Sequence, residues 1–204
     1  MPRILYYDCF TGISGDMNLA ALVDIGVDPD YLKKELKKLS VEDEFELEVS
    51  KKIKNNISGT KVDVILKKDR KNHHDSNNGH HANNEHSHHR HYSHIKKIIE
   101  ESSLSDFVKK RSIQTFERIA VAEAKIHGLK VEQVHFHEVG ATDSIVDIVG
   151  NAICIEYLEP DAVYSSQVHL GGGFVKCAHG TFPVPAPATI EILKNVPVKI
   201  GLVN

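Results

Sequence analysis

Residues 69 to 94, DRKNHHDSNNGHHANNEHSHHRHYSH, carry nine of the chain's 14 histidines and almost no aliphatic side chains. Such a tract cannot bury enough apolar surface to offset the entropy of ordering it, so the sequence predicts a disordered insertion there. The fold then has to be assembled from two separated stretches of one domain. These are a strand, loop, helix and hairpin part over 1–68 and a helical and β part over 95–204. Of the 204 residues, 41% are hydrophobic and 26% charged, which is ample for one ordinary core.

Within the first stretch RILYYD reads as a short buried strand. CFTGISGD follows as a glycine-containing loop, and MNLAALVDIG as a helix that Gly26 can end in a left-handed cap. DPDYLKKELKKLS has the period of a second amphipathic helix. EFELEVSKKI and ISGTKVDVIL alternate apolar and polar residues on either side of KNN, as a hairpin with one face in water does. In the second stretch IKKIIEESS reads as a helix. A longer helix spans about Ser105 to His127, with Phe107, Ile113, Phe116, Ile119, Ala120 and Ala124 as its apolar stripe and Gly128 as its stop. A further helix covers about Asp143 to Leu158, then come the strand DAVYSS, the stretch QVHLGGGFVKCAHG, and PVPAPAT leading into IEILKN. The expected class is α+β: one mixed sheet covered by helices, with the histidine-rich insertion between the hairpin and the helical part. No internal repeat is visible.

The 25 basic and 28 acidic residues nearly balance, and the lysines are scattered beside acidic or apolar neighbours, which argues against a nucleic-acid or membrane-surface partner. No apolar run approaches the ~20 residues of a membrane span, and no signal peptide is evident. Cys9, Cys154 and Cys177 are odd in number and far apart, which fits a reducing compartment rather than a disulfide framework and predicts a cytoplasmic protein. Any of them can still serve as a thiolate ligand.

The segment HFHEVGATDSIVDIVG holds the densest chemistry. If VHFHE is extended, His135 and His137 project from one face, because strand side chains repeat every two residues, and they form a ready bidentate ligand. On the following helix Asp143, Asp147, Gly150, Asn151 and Cys154 make a narrow polar stripe on an otherwise apolar element. Aspartates four apart repel, and a buried carboxylate needs a partner to offset its desolvation, so the stripe suggests a cation. The competing reading has Asp143 at the helix N-terminus accepting backbone N–H bonds and Asp147 pairing with a distant lysine or arginine.

Two glycine-bearing loops add binding potential. Asp8 ends the first strand, and Gly12, Ser14, Gly15 and Asp16 lead into the first helix, where α/β units place ligands, although the spacing matches neither dinucleotide nor P-loop fingerprints. In HLGGGFVKCAHG, Gly171, Gly172 and Gly173 permit a backbone nest for an anion, while His169, Cys177 and His179 offer nitrogen and sulfur ligands. Turn chemistry alone accounts for either loop as well. The histidine-rich tract suits nickel, zinc or copper without geometric selection, and reads as a scavenging or storage arm.

ILYYDCFTGISGDMNLAALVDIGVD, ISGTKVDV, the histidine-rich insert, HFHEVGATDSIVDIVG and GTFPVPAPATIEIL together resemble the nickel insertion proteins of nickel-pincer cofactor synthesis, the LarC family. The resemblance covers nearly all of the chain. It implies a cyclometallase (a nickel chelatase of the lyase class) that inserts nickel into pyridinium-3,5-bisthiocarboxylic acid mononucleotide, using CTP and a divalent cation, Mg2+ or Mn2+. The product serves lactate racemase and related enzymes. Read beside that resemblance, Glu138, Asp143 and Asp147 are the expected catalytic residues, with Glu138, His135 or His137 able to take the proton that leaves the ring carbon. Asp8, Ser14, Gly15, Asp16, Gly171, Gly172 and Gly173 are expected to bind the nucleotide portion, and His135, His137, His169, Cys177 and His179 to handle the metal. Family members continue past PVPAPAT into a C-terminal domain associated with CTP binding and oligomerisation, so the chain is expected to correspond to the N-terminal portion, with such a domain as partner and self-association left open. The alternatives are a non-catalytic nickel chaperone or store and, less well supported, a metal-dependent hydrolase.

Overall fold

The computed structural model describes residues 1–67, 90–136, 139–177 and 180–200, the side chain of Cys177 excepted. The expected insertion over 69–94 lies mostly outside these residues. Its last five positions do not: Arg90 and His91 form a strand, and Tyr92–His94 open a helix.

The architecture is organised around the most apolar helix. The strands are β1 (Ile4–Tyr7), β2 (Phe45–Lys54), β3 (Ile57–Leu66), β4 (Arg90–His91), β5 (His135–Phe136), β6 (Ala162–Ser165), β7 (Val168–Leu170), β8 (Phe174–Cys177), β9 (Gly180–Pro183) and β10 (Val198–Ile200). The helices are α1 (Gly15–Asp24), α2 (Pro29–Leu36), α3 (Tyr92–Glu101), α4 (Asp106–His127), α5 (Thr142–Leu158) and α6 (Pro187–Ile192). Helix α5 buries Ile145, Val146, Val149, Ala152, Ile153 and Cys154 and packs against α1, α2, α4 and β3. Gly150 lets α1 come close, since a Cβ there would stand 3.0 Å from the Leu19 side chain. The core thus draws on residues before and after the histidine-rich tract, from Leu19 to Cys154.

Local sequence explains the elements around it. In the β2–β3 hairpin Phe45, Leu47 and Val49 stand opposite Leu66, Val64 and Val62. Glu46 and Glu48 face water, so a one-residue slip would invert the buried face. The turn is Asn55–Asn56, both at positive φ (50° and 62°), which matches the right-handed twist of the flanking strands. In α4 the Ser105 hydroxyl accepts from the Val108 N–H and donates to Glu156 Oε1, and Gly128 closes the helix at φ 65°. Phe107 departs from the expected stripe: it is exposed, with the Arg111 guanidinium 5.7 Å above its ring.

The class is α+β, but the single mixed sheet is replaced, among the described residues, by five two-stranded ladders. β1–β6 and β7–β10 are parallel, and β2–β3, β4–β5 and β8–β9 antiparallel. β1 is accordingly not buried as expected. With one partner strand and an open face, it leaves Ile4 and Tyr6 about 60% and 59% exposed. No described helix is long and apolar enough to cross a membrane.

A polar clamp ties the two stretches together. Both carboxylate oxygens of Glu44, just before β2, accept from Arg90 Nη2 at 2.6 Å. Arg90 Nη1 reaches Thr142 Oγ1 at 3.2 Å and the Gly140 carbonyl at 3.3 Å. Thr142 in turn donates to Glu44.

Candidate functional site

The polar stripe of α5 faces the N-terminus of α1. The contact is so close that a Cβ on Gly15 would stand 2.1 Å from Asp147 Oδ2 and 2.7 Å from Asp147 Cβ. Only glycine admits the carboxylate here. The Ser14 hydroxyl does not cap the helix; it donates to the Asp16 carboxylate instead.

Asp147 is the most perturbed carboxylate described. Burial, then the negative charges of Asp143 and Asp16, push its pKa from 3.8 up to about 6. Its Oδ1 is buried without a hydrogen-bond partner, as are Asn18 Oδ1 on α1 and Asn151 Nδ2 one turn further along α5. The Tyr7 phenol, at the carboxyl end of β1, lies against Asn151 and Asn18; burial raises its pKa and the two amides only partly offset that rise. Native interiors pair nearly all their buried polar atoms. Asp147 Oδ1 and the two amide atoms therefore leave unused hydrogen-bonding capacity at this contact. Oxygen atoms dominate the orphan set, a donor chemistry for a hard or borderline cation or for a hydrogen-bonding ligand.

The two aspartates separate in role. Asp143 lies in the first turn of α5, where Ala141 is the N-cap, and its Oδ1 accepts from the Ser144 N–H at 2.7 Å, so helix-terminus chemistry accounts for it. Among the described ion pairs no lysine or arginine reaches Asp147. The two thiols on this side are neutral: burial pushes Cys154 up to about 12, and burial with Asp8 nearby raises Cys9.

The second glycine loop adjoins the first. The Cys9 carbonyl accepts from the His169 N–H at 3.2 Å, the Ser166 hydroxyl accepts from the Cys9 N–H at 2.8 Å, and a Cβ on Gly12 would meet the His169 carbonyl at 3.4 Å. His169 is buried. Gly171–Gly173, between β7 and β8, are exposed, with Gly173 at φ 88°; Asp8 and Ser14 in the chain's first loop and Asp16 in α1 are exposed too. The structure therefore brings Gly15, Asp16, Asp143 and Asp147 together, and the 8–14 loop to His169. His135 instead faces His91 across β4–β5. His137, Glu138, His179 and the side chain of Cys177 lie outside the described residues. Among the described residues no three or more histidine, cysteine or acidic side chains are grouped to hold a metal ion.

Tyr7 and Asn18 escape sequence reasoning. The one available signal is positional: Asn18 follows Gly15 by three residues and so shares its helix face, and Tyr7 closes the strand that feeds the loop. Gly15→Ala is expected to lower stability by about 1–3 kcal/mol, because the added methyl overlaps Asp147 as far back as its Cβ. An unfolding midpoint equal to the parent's would show that the carboxylate has room to move.

Comparison with known proteins identifies the family. Residues 5–204 match the family model described as nickel insertion protein, and the chain belongs to that family. It is 58% identical over 218 aligned residues to the pyridinium-3,5-bisthiocarboxylic acid mononucleotide nickel insertion protein of Clostridium acetobutylicum, covering 99% of this chain and 52% of that protein. Proteins of the same description from Clostridium kluyveri and Acetivibrio thermocellus are 55% and 53% identical, with 99% and 96% of this chain and 49% and 46% of theirs covered. The chain spans about half the length of these curated relatives. No solved structure matches it.

Proposed function

We propose that this chain supplies the metallation half of a nickel insertion enzyme acting on pyridinium-3,5-bisthiocarboxylic acid mononucleotide, the substrate named for its relatives. In such a reaction a nickel(II) ion is the cargo. A carbon–nickel bond forms at the ring carbon, the C–H bond breaks, and the proton must go to a base, with no change in oxidation state. The observation that carries the reading is Asp147: a carboxylate with one oxygen left without a partner, pushed up to about 6, where it can accept a proton near neutral pH. Asp143 and Asp16 hold that pKa up rather than acting on substrate. Glu138 is kept as a second candidate base.

The mononucleotide's phosphate suits the exposed backbone of Gly171–Gly173 or, on the side away from Asp147, the N-terminus of α1 at Ser14–Asp16. Borderline nitrogen and sulfur donors from His135, His137, His169, Cys177 and His179 suit nickel on its way in. CTP and its divalent cation, Mg2+ or Mn2+, are assigned to the half of the relatives' length that this sequence does not cover, with self-association through that half. A cytoplasmic setting fits Cys9 and Cys154, which are free thiols. Nickel incorporation, followed by the precursor's absorbance change, tests the reading. Loss of the change in Asp147→Asn supports the base assignment, and turnover equal to the parent's removes it.

A further inference from the structure

We infer that His91 and His135 form an inter-strand two-histidine site for a divalent transition ion, at the point where the histidine-rich tract joins the fold. The two residues are paired in register across the antiparallel β4–β5 ladder, and their ring centroids are 3.5 Å apart at an interplanar angle of 45°. Metal–nitrogen bonds of about 2.0–2.1 Å place adjacent nitrogen ligands on one ion about 3 Å apart. Rings this close reach that spacing by side-chain rotation alone.

The backbone beneath them is fixed on every side. His91 lies between Arg90, locked in its clamp with Glu44 and Thr142, and Tyr92, which is buried and donates its N–H to the Val134 carbonyl at 3.2 Å. His135 lies between Val134 and Phe136, each only 2% exposed. Two outward imidazoles on a rigid ladder are pre-positioned in a way that a floppy tract is not. His91 is also the N-cap of α3, yet its side chain makes no capping hydrogen bond, so the ring is not committed to the helix. Imidazole pairs suit nickel, copper and zinc. Two protein ligands leave the remaining positions to water or to an incoming ligand, which is the coordination of a site that hands metal on rather than one that keeps it.

The inference concerns binding alone and stands whether or not the chain inserts nickel. Its test uses the full chain with His73, His74, His80, His81, His86, His88 and His89 all changed to asparagine, so that the tract does not mask the pair, and measures nickel(II) affinity by calorimetry. The parent of this series is expected to bind one nickel ion. His91→Gln and His135→Gln are each expected to weaken it more than ~10-fold, and the double variant no further than either alone, since chelation is lost with the first ligand. His94→Gln is expected to leave it unchanged. Retained affinity in both single variants overturns the site, as does an equal loss in His94→Gln, which would mean undirected histidine binding. Circular dichroism confirms the fold, and should a glutamine variant unfold, the asparagine variant at the same position reports instead. Nickel insertion activity is not read, so failure of the enzyme reading leaves this result intact.

Discussion

Asp147→Asn is expected to make the protein more stable above neutral pH while removing 10²–10⁴-fold of any nickel insertion rate, the range that general acid–base groups supply (~10²–10⁴). The carboxyl's folded pKa, about 6, lies above its ordinary 3.8. The folded state therefore holds the proton more tightly than the unfolded state does. The resulting stabilisation is complete below pH 3.8, is lost as pH rises to about 6, and above that a half-buried anion facing Asp143 and Asp16 is carried at a constant penalty. A shift of this size corresponds to about 3 kcal/mol at most, and partial hydration reduces it to about 1–2 kcal/mol. Asparagine keeps the shape and removes the charge. Denaturation of both proteins at pH 4 and pH 8 checks this: the midpoints should coincide at pH 4 and separate in the variant's favour at pH 8. A gap independent of pH would place the carboxylate in water.

Arg90→Ala carries the largest expected stability loss, about 2–4 kcal/mol. Breaking a buried ion pair by removing one partner commonly costs about 3–5 kcal/mol. The Glu44 side chain, 34% exposed against 7% for Arg90, recovers part of that by hydration. The same deletion takes the Arg90 donor from the Gly140 carbonyl and leaves the Thr142 hydroxyl only its bond to Glu44, where the chain is tight enough that a Cβ on Gly140 would stand 2.9 Å from the Arg90 amide nitrogen. Lysine should rescue only part, because its single nitrogen cannot serve Glu44 while a second one serves Thr142 and the Gly140 carbonyl. Urea titration reads the loss. A midpoint within about 0.5 kcal/mol of the parent, the range of ordinary surface changes, would show that the clamp contributes nothing.

These two residues illustrate what the sequence does and does not reveal. Asp147 is legible because a short acidic side chain interrupts an apolar helix stripe, a pattern confined to one element. Ser105, Gly128 and Asn55–Asn56 are legible for the same local reason, through capping and turn chemistry. Arg90 is not: it sits inside a tract whose composition argues for disorder, and its partners Glu44 and Thr142 are 46 and 52 positions away. The division of the strands into two-stranded ladders is likewise a matter of long-range pairing, which alternation of apolar residues does not encode. Asp143 and Asp147 look equivalent in sequence. Only packing distinguishes a helix-terminal carboxylate bonded to Ser144 from a half-buried one pressed against Gly15.

The most direct measurement is nickel incorporation into pyridinium-3,5-bisthiocarboxylic acid mononucleotide, followed by its absorbance change. The chain is supplied with nickel(II), CTP and Mg2+, together with the part of the Clostridium acetobutylicum relative that it does not cover, and is run beside its Asp147→Asn variant. Incorporation by the parent chain and its loss in the variant are the expected result. No incorporation by the parent chain while the intact relative turns over under the same conditions, or equal rates for parent and variant, would contradict it.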